Sequence, residues 1–248
     1  CFWWVLPINP EVSMKALAFA ATVSLTISCV VFAQDSKPTV KPSGASKQPA
    51  EAAANIDVVA IQKKIDEFSE AIKKNPEDDG NFGARGQCFK RIGKLDSAMM
   101  DLNKAISMNP GRAAYFEVRA NCLMRLNRPR EAFDDYKKAF SLGLQGRRLN
   151  LDLAYCAAEL KDYRSAISYA KTALETKQND KETLVLLGGC DRMAGLLKDS
   201  LEHLTKAIEL DPTDGEVIAM RADTYNSLGQ KALAIIDMQR AKGLGVKH

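Results

Sequence analysis

Apolar residues along this chain fall into three regimes. From Ala16 to Ala33 they run on without a charge. From Gln34 to Asn55 they lose any period, among three Pro and several Ser, Ala and Lys. From Ile56 onward they recur at spacings of three and four, which gathers them on one side of a helix and predicts a series of amphipathic helices.

The third regime repeats itself at a shift of 34 residues, with full units opening at Asp79, Ala113, Arg147, Lys181 and Gly215. Counting from each opening residue, position 8 holds Gly86, Ala120, Ala154, Gly188 and Ala222, and position 20 holds Ala98, Ala132, Ala166, Ser200 and Ala234. Position 27 is Ala105, Ala139, Ala173, Ala207 and Ala241. Small side chains at fixed intervals are what two helices need where their axes approach to ~8–10 Å. Larger apolar residues surround them, such as Phe82, Phe116, Leu184 and Ile218 at position 4 and Leu102, Tyr136, Leu204 and Met238 at position 24. Each unit is therefore expected to be a pair of packed helices. The turn between them falls at position 15, where Gly93, Asn127, Gly195 and Gly229 suit a left-handed backbone and Lys161 does not. Pro110 and Pro212 at position 32 stop the second helix of their units, and Gly143 and Gly146 do so around Leu144.

On their period and the small residues at positions 8, 20 and 27, residues 79 to 246 resemble tetratricopeptide repeats. The resemblance implies an all-α fold: a right-handed α-solenoid of about five repeats, 79–112, 113–146, 147–180, 181–214 and 215–246. Upstream, Phe68, Ala71 and Pro76 fall at positions 24, 27 and 32 of a degenerate unit, so residues 56–78 are expected to supply a lone N-terminal capping helix. The far end of the stack is expected to stay partly uncapped.

Residues 14–33 have the parts of a secretory signal: Lys15, an apolar run and Val31-Phe32-Ala33 before polar Gln34. Cleavage is expected after Ala33, giving a secreted or periplasmic protein. The alternative is an uncleaved N-terminal anchor, because about 18 apolar residues just span a bilayer. Residues 1–13 precede Met14 and are expected to be an upstream extension, and residues 34–55 a flexible linker.

Composition narrows the function. A net charge of +4 from 35 basic and 31 acidic residues is too mixed to announce nucleic acid, and contact with a membrane is expected only through the N-terminal anchor. Cys88, Cys122, Cys156 and Cys190 share position 10, with Thr224 in the fifth unit. Helices of successive units lie farther apart than the about 4.4–6.8 Å that a disulfide tolerates, so these are expected to be buried free thiols. Of the two imidazoles, His203 stands beside Glu202 on a second helix and is expected to be a surface residue, and His248 lies at the end. Asp134-Asp135 and Glu77-Asp78-Asp79 are expected to be solvated charges on a helix face and at a helix start. With no phosphate-cradling loop, nucleophile elbow or metal-ligand spacing, neither an enzyme, nor a metal, nor a cofactor is expected.

Positions 2, 5, 9, 12 and 13 of the first helices form a second stripe, which in the resembled family lines a concave groove. Its candidates in the first two units are Gln87, Lys90, Arg91, Asn121, Met124 and Arg125. Arg148, Tyr155, Arg192 and Asp223 continue it. The amides of Gln87 and Asn121 suit a peptide backbone, Met124 and Tyr155 offer apolar contact, and Lys90, Arg91 and Arg125 suit carboxylates. Acids gather in the last units, at Glu182, Glu216 and Asp223. The Lys/Asn/Arg clamp by which some family members hold chaperone tails is missing, with Gly83, Val118 and Asp152 at the matching places. The reading is an extracytoplasmic scaffold or adaptor that binds a peptide segment or protein partner in its groove. The alternatives are a cell-envelope assembly component using the open C-terminal end and, less favoured, an enzyme with an unrecognised site.

Overall fold

The computed structural model describes residues 58–247. The expected upstream extension, signal or anchor, and linker lie outside them, as does His248. Among the described residues the regular structure is helical throughout. A lone helix α1 (Val58–Lys74) precedes five helix pairs: α2 (Asp79–Arg91) with α3 (Leu95–Met108), α4 (Ala113–Arg125) with α5 (Pro129–Ser141), and α6 (Arg147–Glu159) with α7 (Tyr163–Thr176). The last two are α8 (Lys181–Met193) with α9 (Leu197–Leu210) and α10 (Gly215–Ser227) with α11 (Lys231–Gly243). Each first helix opens at a residue where the sequence repeat opens.

The turns explain how each pair closes. Gly93, Asn127, Lys161, Gly195 and Gly229 all adopt positive φ, between 58° and 80°. Lys161 takes φ 61° although its Cβ disfavours that region. What holds it there recurs in every unit: the N–H of the following residue reaches back to a carbonyl five residues earlier, as Asp162 does to Ala157 at 2.9 Å and Leu196 to Asp191 at 2.8 Å. This is the Schellman closure, and it satisfies carbonyls that a helix end otherwise leaves orphaned. Several starts are capped as well, Asp78, Asp162, Asp180 and Asp214 each accepting a backbone N–H with the side chain.

The core is a row of small clusters instead of one centre. Ala98, Ala120, Ala132, Ala139, Ala154, Ala173 and Ala207 are fully buried where helices cross. A Cβ on Gly188 would stand 2.5 Å from Leu204 Cγ, so only glycine lets α8 approach α9 this closely. Ser200, at the position filled by Ala in other units, is tolerated because its hydroxyl donates to the Gly188 carbonyl at 2.7 Å. The four repeat cysteines are buried and free, and burial raises the pKa of each thiol, Cys190 to about 12. They pack as small apolar residues. Thr224 replaces the fifth by returning its hydroxyl to the Met220 carbonyl.

Two expectations about charge are corrected. Asp135 is buried, not solvated: Arg119 grips it through Nε and Nη2 at 2.7 Å each, while Asp134 stays exposed. The same pair joins Arg85 to Asp101 and Arg221 to Asp237, always from position 7 of a first helix to position 23 of its second. In each case the remaining guanidinium nitrogen reaches position 25 of the preceding unit, at Ser69, Asn103 or Thr205, so one arginine ties three helices. His203 is the second correction. It is mostly buried, and its Nδ1 lies 2.7 Å from Oδ2 of Asp191, a fully buried residue. Position 7 is Leu187 in that unit, which frees position 23 to pair with position 11 instead.

Candidate peptide-binding groove

Each first helix packs on its own second helix and on the second helix of the unit before. First helices also meet one another directly, α2 with α4, α6 with α8, and α8 with α10. The stack is tighter on this side, so the first helices line its concave face. Close approach there is bought by glycine again: a Cβ on Gly83 would lie 2.2 Å from Tyr115 Cε1, and the tyrosine covers α2 while its hydroxyl donates to Asp79 at 2.6 Å. Asp79 is therefore engaged and not simply solvated; the hydrogen bond from Tyr115 lowers its pKa.

At the N-terminal half, Gln87 and Arg91 are exposed and Lys90 is half-buried. Arg125 is exposed yet anchored, its Nη1 donating to the Lys90 carbonyl at 2.7 Å. This bond joins α4 to α2 and holds Arg125 beside Lys90. None of Lys90, Arg91 and Arg125 forms an ion pair among the described residues, in contrast to Arg85, Arg119 and Arg221. Asn121 spends one amide hydrogen on the Glu117 carbonyl of its own helix, at 2.8 Å. Its amide is oriented by that bond, with the carbonyl oxygen left for a partner.

The middle of the groove differs from its expected character. Tyr155 was assigned apolar contact with a partner, but it is only 8% exposed and belongs to the core around Leu151 and Leu187. Its hydroxyl donates to Glu182 Oε1 at 3.4 Å. Met124 is half-buried against the neighbouring core, with its sulfur 3.2 Å from Cys156 Sγ. Beside them lies a polar cluster not singled out in the sequence as such. Asp152 is 7% exposed and is held by Arg148, whose Nη2 is 3.0 Å from Oδ1 and whose Nε donates to Oδ2 at 3.2 Å. Arg148 also approaches Glu182 at 4.0 Å. Burial pushes the Asp152 carboxyl up to about 6 against the pull of Arg148, and Glu117 and Glu182 push the same way. At the C-terminal half, Arg192 and Asp223 are half-buried. The buried Arg192 Nε has no partner among the described residues.

The arrangement can hold charge and backbone polar groups along an extended segment. No group of three or more His, Cys, Asp or Glu able to hold a metal ion occurs among the described residues. The Arg–Asp pairs that tie the units were missed in reading the sequence, although an arginine and an aspartate 16 residues apart recur in three units.

A tetratricopeptide-repeat family model matches residues 82–112 and 148–180. Among solved structures, the fold is shared with YrrB, described as a TPR protein with an unusual peptide-binding site, at TM-score 0.67 and 23% identity over 73% of this chain and 93% of that one. PilW, described as a widely conserved type IV pilus biogenesis factor, matches at TM-score 0.61 and 19% identity over 74% of this chain and 85% of that one. MamA from Desulfovibrio magneticus RS-1 matches at TM-score 0.61 and 15% identity, covering 73% and 94%. With two units matched by the family's model and the remaining units built on the same helix pair, the fold of this chain is an all-α solenoid of tetratricopeptide-type repeats.

Proposed function

We propose that the chain is a non-enzymatic scaffold that holds an extended, partly acidic segment of a protein partner in its concave groove, outside the cytoplasm. The observation that carries this reading is the set of inner-face cations, Lys90, Arg91 and Arg125, left without carboxylate partners while the arginines between the helix layers are fully paired. Charges that stabilise a fold are paired within it; charges displayed together on a concave surface are available to a ligand. Glu216 and Asp223 at the other end of the groove set the direction, with the acidic part of the segment toward α2 and α4. A groove that binds peptide is in keeping with the description of YrrB. The extracytoplasmic setting rests on the apolar run Ala16–Ala33 and its Val31-Phe32-Ala33 ending.

Panning a random-peptide library over the chain tests the groove. Recovered peptides should be enriched in acidic residues, and Lys90→Glu, Arg91→Glu and Arg125→Glu together should weaken them by more than about tenfold at low salt. Reversal of exposed Arg130 and Lys138, on a second helix, should matter far less. Equal losses from both sets would move the binding surface elsewhere. An alkaline phosphatase fused after residue 55 reports the compartment, since that enzyme matures only after export; an inactive fusion would place the repeats in the cytoplasm.

A further inference from the structure

Along the stack, apolar residues on one side of each second helix are covered by the first helix of the next unit. At position 21, Met99, Phe133 and Ile167 pack in this way. Leu95 and Tyr163 at position 17, and Ile106, Leu174 and Ile208 at position 28, extend the covered strip in both directions. No helix follows α11 among the described residues, and its strip is changed in a specific manner. The centre remains apolar, with Ile235 at position 21 standing 57% exposed and Met238 at position 24 half-buried. The two ends are lysines, Lys231 at position 17 and Lys242 at position 28. On the adjoining surface, positions 19 and 22 carry Glu131 and Asp134 in one unit and Asp199 and Glu202 in another, whereas α11 places Leu233 and Ile236 there, 44% and 59% exposed. The sole acid of α11, Asp237, is buried under Arg221. The outer face of α11 is thus an apolar strip closed at both ends by cations, with no exposed carboxylate on the helix.

We propose that this face of α11 is a second docking surface, and that its occupant is an amphipathic helix of another protein, with acidic residues at both ends of its apolar stripe. The helix would lie where the first helix of a sixth unit would lie. Two features select that occupant. The strip keeps the apolar centre at position 21 that receives a helix from the next unit at Met99, Phe133 and Ile167, and exposed cations stand at its two ends, so a complementary helix needs carboxylates there. A second copy of this chain fits poorly. Two α11 faces would oppose lysines, and the α1 end carries Lys63, Lys64, Lys73 and Lys74 against Asp66, Glu67 and Glu70, with no acidic excess to offer. This surface does not depend on the groove reading, because it lies on a second helix at the end of the stack.

The probe is a lactam-stapled helical peptide with the sequence of residues 215–227 carrying Arg221→Glu, a surrogate first helix with acids along it. Its counterpart keeps Arg221 and carries Glu216→Lys and Asp223→Lys. Titrated into the isotope-labelled full chain, the acidic peptide should shift amide resonances of α11 and leave those of α2 and α4 in place. In the K231E/K242E variant its affinity should fall by at least about tenfold, and the basic peptide should gain in its place, a charge swap that misfolding would not produce. Ile235→Asp should weaken both. The proposal is overturned if the two peptides bind the parent chain alike, or if the shifts map to the groove. It is equally overturned if Lys231 and Lys242 instead retain the chain on phosphatidylglycerol vesicles while neither peptide binds, or if the parent chain dimerises in sedimentation and Ile235→Asp makes it monomeric.

Discussion

Asp152 is the residue where burial and charge oppose each other most directly. It is buried beside Glu117 and Glu182 with Arg148 as its counter-charge, and its carboxyl is raised from 3.8 to about 6. A carboxyl with a higher pKa in the folded state binds its proton more tightly there, so its contribution to stability is fully present below the unfolded value and is lost as pH rises through about 6. The shift corresponds to roughly 2–3 kcal/mol at neutral pH. Asp152→Asn should therefore melt above the parent at about pH 7.5 and lose the decline in stability between about pH 4 and 6. A variant that melts lower than the parent at both ends of that range would show that the Arg148 contact outweighs the burial cost. Little of this was legible beforehand. Asp152 stood in the sequence only as a mismatch to a clamp, and nothing local reveals that Tyr136 of the preceding unit packs against its helix, in one cluster with Leu149 and Leu153.

At the scale of the element, the Arg–Asp pairs raise the question of what holds successive pairs of helices in register. Arg119 and Asp135 are 22% and 10% exposed, so the pair is largely desolvated and its net contribution is small next to the cost of breaking it. Unit three supplies the natural comparison, with Leu153 and Tyr169 at the same two positions. Asp135→Ala alone, which strands Arg119, should cost about 3–5 kcal/mol in denaturant unfolding. The double variant R119L/D135Y should cost less than the single one. If the double variant instead loses as much as Asp135→Ala alone or more, the pair stabilises the stack beyond what apolar packing supplies. The pairs were readable in principle, because helix periodicity and the repeat put positions 7 and 23 in the same relation in every unit. They were passed over because a charge in an amphipathic helix is usually solvated, and only packing tells which ones are not. His203 shows the same limit: its partner Asp191 is 12 residues away, on the other helix of the pair.

At the scale of the whole molecule, a repeat stack has only nearest-neighbour cores, so stability should be graded along it. Helices α6 to α8 are covered on both sides, while among the described residues α1 and α11 each lack one neighbouring helix. Amide hydrogen exchange should therefore be slowest in α6, α7 and α8 and fastest in α1 and α11, with Val58 and Val59 already open to solvent at one end and Ile235 and Ile236 at the other. Uniform protection from α1 to α11 would mean that the stack opens as a single cooperative unit. The same grading bears on the groove, whose N-terminal cations sit in the first two units and so depend on α1 covering α2. Binding there should weaken before the central helices unfold.

What the sequence by itself determined was everything carried by periodicity. A repeat of fixed length, with small residues where helices touch and left-handed turns at position 15, leaves a stacked helix pair as the arrangement that buries the apolar faces, and even Lys161 is drawn into the turn. The buried thiols followed from the same geometry, since equivalent positions in parallel units cannot come within bonding distance. What only the tertiary structure decided was which polar side chains are spent on the fold and which are left over. Arg119 and Lys90 are both cations on first helices, yet one closes on a buried aspartate from the second helix and the other faces the groove. That difference arises because a side chain's environment is built from residues 16 or 34 positions away, on helices that meet it only after the stack has formed.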